Sequence, residues 1–168
     1  MTDQEYVLKL LSQNLAENQH ENSSSVKSRR GTAKPKRGSA VAVQLQKESN
    51  ILARPLDWET DEVTASLSGS ESKKSFDTVI ACDCIYNDAL VEPLVQTCVD
   101  VCTLRELEGD RTRPTVCVVA QQLRSAEVFE GWLKAFYKAF RVWRVPDEET
   151  IDGLKSDSGF VIHVGILR

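Results

Sequence analysis

Long apolar runs and the marks of secretion are missing from this sequence. No uncharged apolar run approaches the roughly 18 residues that a membrane span needs. The stretch Met1–Glu5 has neither the basic nor the apolar part of a signal peptide, so we expect a cytoplasmic protein, with the nucleus as the other location. The formal net charge is −4, whereas general nucleic-acid binders are usually basic, so that class loses weight.

Residues arranged to hold a metal are also scarce. The two histidines, His20 and His163, show no ligand spacing to the five cysteines, and no pair of cysteines forms a CxxC motif. The cysteine count is odd and the context looks intracellular, so free thiols are expected. We therefore predict no metal site.

The composition that remains is that of one globular domain with a core. The chain has 168 residues, of which 41% are apolar and 27% charged. Helical crossovers between apolar strands predict a three-layer α/β sheet closed by two antiparallel strands, with Pro55 on an edge strand and residues 76–83 on a strand covered on both faces. The first predicted element is a helix with an apolar face from Val7 to Leu15, and Asn14, Asn18 and Asn22 signal its end. Two further helices are predicted, one capped by Asp88 and one with an apolar stripe from Phe129 to Phe140. The predicted strands lie at 51–58, 76–83, 114–120, 141–145 and 160–167.

Residues 19–49 break this order. Six basic residues and no acid lie between Lys27 and Arg37, and Gly31, Pro35 and Gly38 oppose regular structure. We predict a disordered basic insertion. It is either a solvated linker or an electrostatic arm that contacts RNA or an acidic surface.

Polar residues follow several predicted strands, where ligands of open α/β sheets bind. Asp3 follows a stub of a strand, Trp58 follows the proline-containing strand, and Asp83 and Tyr86 follow the central one. Gln121 and Gln122 follow the next strand. An acid at such a place can accept hydrogen bonds from both ribose hydroxyls, and an indole can cover a purine. The alternatives are that the acids form turns or cap helices, and that the tryptophan belongs to the core.

These residues resemble the seven-β-strand protein-lysine methyltransferases, the methyltransferase family 16 type, which modify chaperones, elongation factors and ribosomal proteins. Within that group the chain is most similar to the fungal ribosomal lysine methyltransferases of type 5. The segments that carry the likeness are Thr2-Asp3 before a Leu-rich helix, Arg54–Glu59, Phe76–Tyr86 with its Asp-x-x-Tyr element, Val119–Arg124 and Gly159–Gly165.

The resemblance implies a Rossmann-like class I methyltransferase sheet and S-adenosylmethionine as the cofactor. It places Asp3 on the ribose hydroxyls, Trp58 on the adenine and the backbone of Cys82 near the cofactor. It makes Asp83 and Tyr86 the catalytic pair that borders the channel for the target lysine. It also implies a protein substrate, for which a protein of the large ribosomal subunit is the candidate, and a monomeric enzyme.

The family's first strand and Gly-rich turn find no counterpart here, because none of the eight glycines makes a Gly-x-Gly turn. We therefore expect residues 1–168 to correspond to the C-terminal two-thirds of the domain, with a sheet incomplete at the N-terminus. Two readings follow: a protein-lysine methyltransferase, or an inactive fragment or remnant that at most binds a partner, for instance through Lys27–Arg37. A small-molecule methyltransferase is a third, weaker reading.

Overall fold

The computed structural model describes residues 2–3, 7–25, 51–109 and 112–168. Two compact units are present, Met1–Asp57 and Trp58–Arg168. Within these described residues, no helix is long and apolar enough to cross a lipid bilayer.

The first unit contains a two-stranded parallel sheet and one helix. Strand β1 (Thr2–Asp3) pairs with strand β2 (Arg54–Pro55), with Asp3 opposite Pro55. The predicted strand that ends near Asp3 is confirmed, and Pro55 lies on an edge as predicted, because either strand of a two-stranded sheet is an edge. The strand predicted at 51–58 is present only as Arg54–Pro55.

Helix α1 spans Leu8–Ser25 and is longer than predicted. Asn14 and Asn18 do not end it, and the side-chain nitrogen of Asn18 donates a 2.7 Å hydrogen bond to the backbone oxygen of Asn14 one turn earlier. The helix therefore includes residues 19–25 of the segment predicted to be disordered. The remainder, residues 26–50 with the Lys27–Arg37 arm, lies outside the described residues.

The second unit is a four-stranded mixed sheet with two helices. The sheet order is β3-β4-β6-β5, in which β3 and β4 are parallel and β6 is antiparallel to both β4 and β5. The predicted order of elements and the antiparallel closing pair are confirmed. The bounds are β3 Thr78–Cys82, α2 Val91–Leu107, β4 Val116–Gln122, α3 Ala126–Ala139, β5 Phe140–Arg144 and β6 Phe160–Leu167.

An aromatic stack forms the centre of the core. Trp132 and Phe136 of α3 are almost fully buried, with ring centroids 5.0 Å apart, and Phe136 stacks on Phe140 at 4.3 Å. Gly165 of β6 faces this stack, where a Cβ atom would lie 2.6 Å from the Phe136 ring. Only a glycine fits at that point, because real Cβ contacts do not come so close.

Three further predictions about α3, the turn before α2 and strand β3 were wrong. The stripe of α3 does not extend to Phe140, which begins β5, and Tyr137 is 57% exposed, because the apolar face of the helix turns away from it. Asn87, rather than Asp88, caps the turn before α2 by accepting a bond from Ala89. Strand β3 alternates instead of being covered on both faces, and Ile80 is 66% exposed.

Candidate functional site

The candidate site is the carboxyl end of the parallel pair β3 and β4. Cys82, the last residue of β3, lies opposite Ala120, and the backbone N–H of Asp83 donates to the Ala120 oxygen at 2.8 Å. The predicted Gln121 and Gln122 are the last two residues of β4 and do not follow it. Ligands of open α/β sheets bind beyond such strand ends, so the turn that leaves β3 is the place to seek chemistry.

Asp83 turns the chain out of the sheet in an unusual conformation. Its φ angle is +56°, and it is the single non-glycine residue with a positive φ in the part of the chain that the structure describes. Aspartate tolerates the left-handed region better than most residues, yet the conformation still costs free energy. Such a residue persists only where its surroundings hold it.

Two side chains from the end of β4 hold the Asp83 carboxylate. Its Oδ1 accepts a bond from Nε2 of Gln121 at 3.0 Å, and its Oδ2 pairs with a terminal nitrogen of Arg124 at 2.5 Å. The Asp83 side chain is 41% exposed and that of Arg124 is 51% exposed. Both carboxylate oxygens are engaged by donors, so the direction in which this carboxylate points is fixed by its two partners.

Gln121 is the buried centre of the turn. It is 1% exposed, and its Oε1 accepts from the backbone N–H of Ile85 at 2.8 Å. Its Nε2 faces three oxygens: Oδ1 of Asp83, the backbone oxygen of Ile85 at 3.1 Å and that of Gln122 at 2.9 Å. This set of partners fixes the orientation of the amide, because a flipped amide would bring oxygen against oxygen.

Tyr86 stands on the same turn, beyond a buried anchor. Ile85 is 5% exposed and belongs to the core, whereas Tyr86 is 60% exposed. The predicted Asp83 and Tyr86 therefore sit on either side of a fixed residue, and both present polar atoms to solvent.

The three residues predicted to bind the cofactor are placed differently from one another. Cys82 is exposed at the end of β3. Trp58 is half-buried and packs against the core cluster of the second unit, as the alternative reading of this tryptophan expected. Asp3 is the last residue of β1 in the first unit, and its side chain lies outside the described structure.

Two functional candidates were missed from the sequence. Gln121 was noted only as a polar residue after a strand, and Arg124 only as part of a similar segment. The usable signal is alternation: Cys117 and Val119 point to the core in β4, so position 121 also points inward. A glutamine at an inward position must find internal partners.

The other reactive side chains of the second unit are buried or engaged in packing. Burial raises the pKa of Cys102 to about 12, and a hydrogen bond with Cys117, together with burial, raises that of Cys98 well above its usual value. Burial lowers the pKa of His163, which packs against Trp132. Among the described residues, no group of three or more His, Cys, Asp or Glu side chains could hold a metal ion.

A family model described as lysine methyltransferase matches residues 36–129, which is more than half of the chain. The chain therefore belongs to the lysine methyltransferase family. The matched range contains the whole turn from Cys82 to Tyr86 together with Gln121 and Arg124. Among curated proteins, no match was found.

Family membership carries a chemical expectation that the site can be tested against. Class I methyltransferases generally use S-adenosylmethionine, and the mixed sheet is consistent with their Rossmann-like fold. The end of β3 fits such a group in one respect: the small, exposed side chain of Cys82 leaves the backbone open to a ligand at the carboxyl end of a parallel strand.

Proposed function

We propose that this protein is an S-adenosylmethionine-dependent protein-lysine N-methyltransferase that acts on a protein of the large ribosomal subunit. The observation that carries the proposal is the family match over the turn where Asp83 and Tyr86 stand, exposed, at the carboxyl end of β3. The choice of a ribosomal substrate rests on the likeness of Arg54–Glu59 and Val119–Arg124 to the fungal ribosomal group.

The first task of the site is to orient a cation. A lysine amine has a pKa near 10.4, so at pH 7 only about one in two thousand is neutral, and the side chain arrives as an ammonium. Asp83 is a held anion at the rim and can accept that ammonium on the oxygen that now pairs with Arg124. The Arg124 pair is exposed and therefore weak, about 0–1 kcal/mol, so an arriving cation can replace it.

The second task is to present a neutral amine in line with the methyl donor. The Tyr86 hydroxyl can accept from or donate to the amine once its proton has left to solvent, and two fixed contacts restrict the amine to a small range of directions. Because Ile85 is anchored in the core, the distance between the carboxylate and the phenol is set by a short, fixed stretch of chain.

The cofactor, when bound, supplies an activated methyl group on a sulfonium. Cys82 would lie beside it through its backbone, and Trp58 would pack on the adenine. For Asp3, in the first unit, the family resemblance implies that the carboxylate accepts hydrogen bonds from the ribose hydroxyls. No nucleophilic cysteine is needed, which agrees with the raised pKa values of Cys98 and Cys102.

The test is methyl transfer measured on protein expressed from its own gene, so that any neighbouring coding sequence is kept. Purified protein is incubated with S-adenosylmethionine carrying a labelled methyl group and with large ribosomal subunits, and the labelled protein is mapped by mass spectrometry. Titration calorimetry with S-adenosylmethionine alone measures cofactor binding independently.

We expect label on a lysine of one ribosomal protein, and cofactor binding that does not require the subunit. Small ribosomal subunits and free lysine serve as controls and should remain unlabelled. Cofactor binding without any labelled lysine would contradict the methyltransferase proposal and support the inactive reading. Label on a protein of the small subunit alone would keep the reaction and remove the large-subunit substrate.

A further inference from the structure

The Gln121 side chain makes more long-range ties to the turn after β3 than any other described side chain in the site. Its amide takes part in four contacts at hydrogen-bond distance. The oxygen accepts from the Ile85 N–H, and the nitrogen faces the Asp83 carboxylate and the Ile85 backbone oxygen. The fourth ends on its own neighbour, Gln122. One buried amide thus fixes the residue that carries the carboxylate and the residue that anchors the turn.

We propose that Gln121 is a positioning residue that holds Asp83 in its left-handed conformation and thereby sets where the carboxylate stands. With 1% of its surface exposed, Gln121 cannot touch a target lysine and can act only through the turn. The consequence for methyl transfer rests on the proposed function, whereas the consequence for the turn does not.

Arg124 cannot replace Gln121 in this role. Arg124 reaches the same carboxylate from the exposed side, with half of its side chain in solvent, and makes none of the bonds to the Ile85 backbone. Exposed ion pairs hold geometry weakly, whereas a buried amide whose partners would be left unsatisfied holds it firmly. The backbone angle of Asp83 therefore depends on Gln121.

The exchange rate of the Ile85 amide hydrogen measures whether Gln121 holds the turn, because that N–H donates to the Gln121 side chain. Gln121→Met keeps length and volume but removes every bond, whereas Gln121→Glu keeps an acceptor for the Ile85 N–H and loses the donor that faces Asp83. Thr115→Val is the matched control: Thr115 is also buried, and its hydroxyl donates a 2.7 Å bond to the Phe76 oxygen at the opposite end of the same strand pair.

The expected exchange results separate a local tie from general stability. In Gln121→Met, protection of the Ile85 amide falls at least tenfold relative to that of Val119 in the middle of β4. In Gln121→Glu it falls less, because its acceptor remains, and in Thr115→Val the ratio stays within twofold. Unchanged Ile85 protection in Gln121→Met overturns the proposal. If that variant does not fold, loss of the left-handed signature of Asp83 in the NMR couplings of Gln121→Glu decides instead, and its retention overturns the proposal.

The kinetic arm uses the same variants with the labelled cofactor. Displacing a catalytic group by about 1 Å can cost up to a hundredfold in rate. We expect kcat to fall at least tenfold in both Gln121 variants while the dissociation constant of S-adenosylmethionine stays within twofold, and Thr115→Val to keep kcat per folded molecule. A kcat within twofold of the parent overturns the proposal. A parent that transfers no methyl group overturns the proposed function instead, and the exchange result alone then decides whether Gln121 holds the turn.

Discussion

The two ends of the β3–β4 pair are both tied by buried polar side chains, but the ties hold different things. At the amino end, the Thr115 hydroxyl donates to the Phe76 backbone oxygen, and the buried guanidinium of Arg105 in α2 pairs with Asp77 at 2.6 Å. No described residue near that end, from 75 to 78, has a positive φ. These bonds fasten a strand and a helix in unstrained geometry.

At the carboxyl end, a buried amide holds a strained turn. Gln121 bonds to Asp83, the residue with a φ of +56°, and the carboxylate it holds is open to solvent. The difference indicates that similar hydrogen bonds stabilise the fold at one end and present a charged group at the other. Strain and exposure, more than the number of bonds, distinguish the functional end.

The largest expected effect is on the rate of methyl transfer, which should respond to a change at the carboxyl end of the β3–β4 pair but not to one at the amino end. Asp83→Asn keeps the shape of the side chain and removes its charge, so methyl transfer should fall by about a hundredfold or more while cofactor affinity changes little. Asp77→Asn at the amino end is the control and should lower the melting temperature without changing kcat per folded molecule. If Asp83→Asn methylates as fast as the parent and loses only stability, the aspartate is a turn residue and the assignment fails.

A smaller effect is expected on the free energy of unfolding when the hydrogen bond at the amino end is removed. Thr115→Val removes a part-buried hydrogen bond from a buried side chain and leaves the Phe76 oxygen without that donor, so the free energy of unfolding should fall by about 1 kcal/mol. Urea unfolding followed by tryptophan fluorescence measures it. Ser125→Ala, which removes a weaker cap bond of 3.4 Å to Val128, gives a reference for an exposed hydrogen bond. Equal losses in both variants would mean that burial at the amino end contributes nothing extra.

A still smaller effect concerns the cation that now occupies the site. Arg124→Gln removes the positive charge from Asp83, and the exposed pair contributes little to stability, so the unfolding free energy should change by less than about 0.5 kcal/mol. The KM for the protein substrate should fall about threefold at low salt, and the gain should shrink as salt screens the competing charge. Lys134→Gln, which breaks the exposed pair with Glu130, is the matched control. A KM that does not respond to Arg124→Gln at any salt concentration would show that Arg124 and the substrate do not compete.

The smallest effect is acid sensitivity at the amino end. Hydrogen bonding from Lys73, and then from Arg105, lowers the pKa of Asp77, and a hydrogen bond from the Ser75 hydroxyl lowers that of Glu108. A carboxylate with a lowered folded pKa stabilises the fold above its unfolded value, near pH 4, and that contribution is lost as the pH falls through the folded pKa.

Melting temperatures recorded between about pH 5 and pH 2 check this sign. The parent should lose more of its melting temperature over that range than Asp77→Asn, which has no carboxylate to protonate at that position. Parallel curves for the two proteins would mean that the Asp77 pairs do not persist in solution.

The sequence predicted the sheet well where side chains alternate or form apolar runs. The sequence placed β5, β6 and α3 within a few residues of their bounds. Each element buries one face, so its apolar residues recur at the spacing of a strand or a helix. The end of α1 and the exposure of Ile80 could not be read in this way. Asn18 bonds to its own helix instead of ending it, and the cover of a strand face depends on elements far away in the sequence.

The candidate site was predictable only in part. Asp83 and Tyr86 follow from the Asp-x-x-Tyr element in one short segment. The partners of Asp83 do not, because Gln121 and Arg124 are 38 and 41 residues further along the chain and reach it only through the pairing of β3 with β4. The left-handed angle of Asp83 is likewise a result of that pairing and leaves no trace in composition.

Because Gly165 lies against Phe136, a substitution at position 165 could be mistaken for a loss of activity in a genetic screen. Any side chain at 165 must push a fully buried ring aside, so alleles there should reduce the amount of folded protein in the cell. An Asp83→Asn allele, which suits the left-handed backbone, should leave abundance normal and remove the modification. A screen that scores only loss of methylated product would place both positions in one class, and immunoblotting for the protein itself would separate a folding allele from a chemical one.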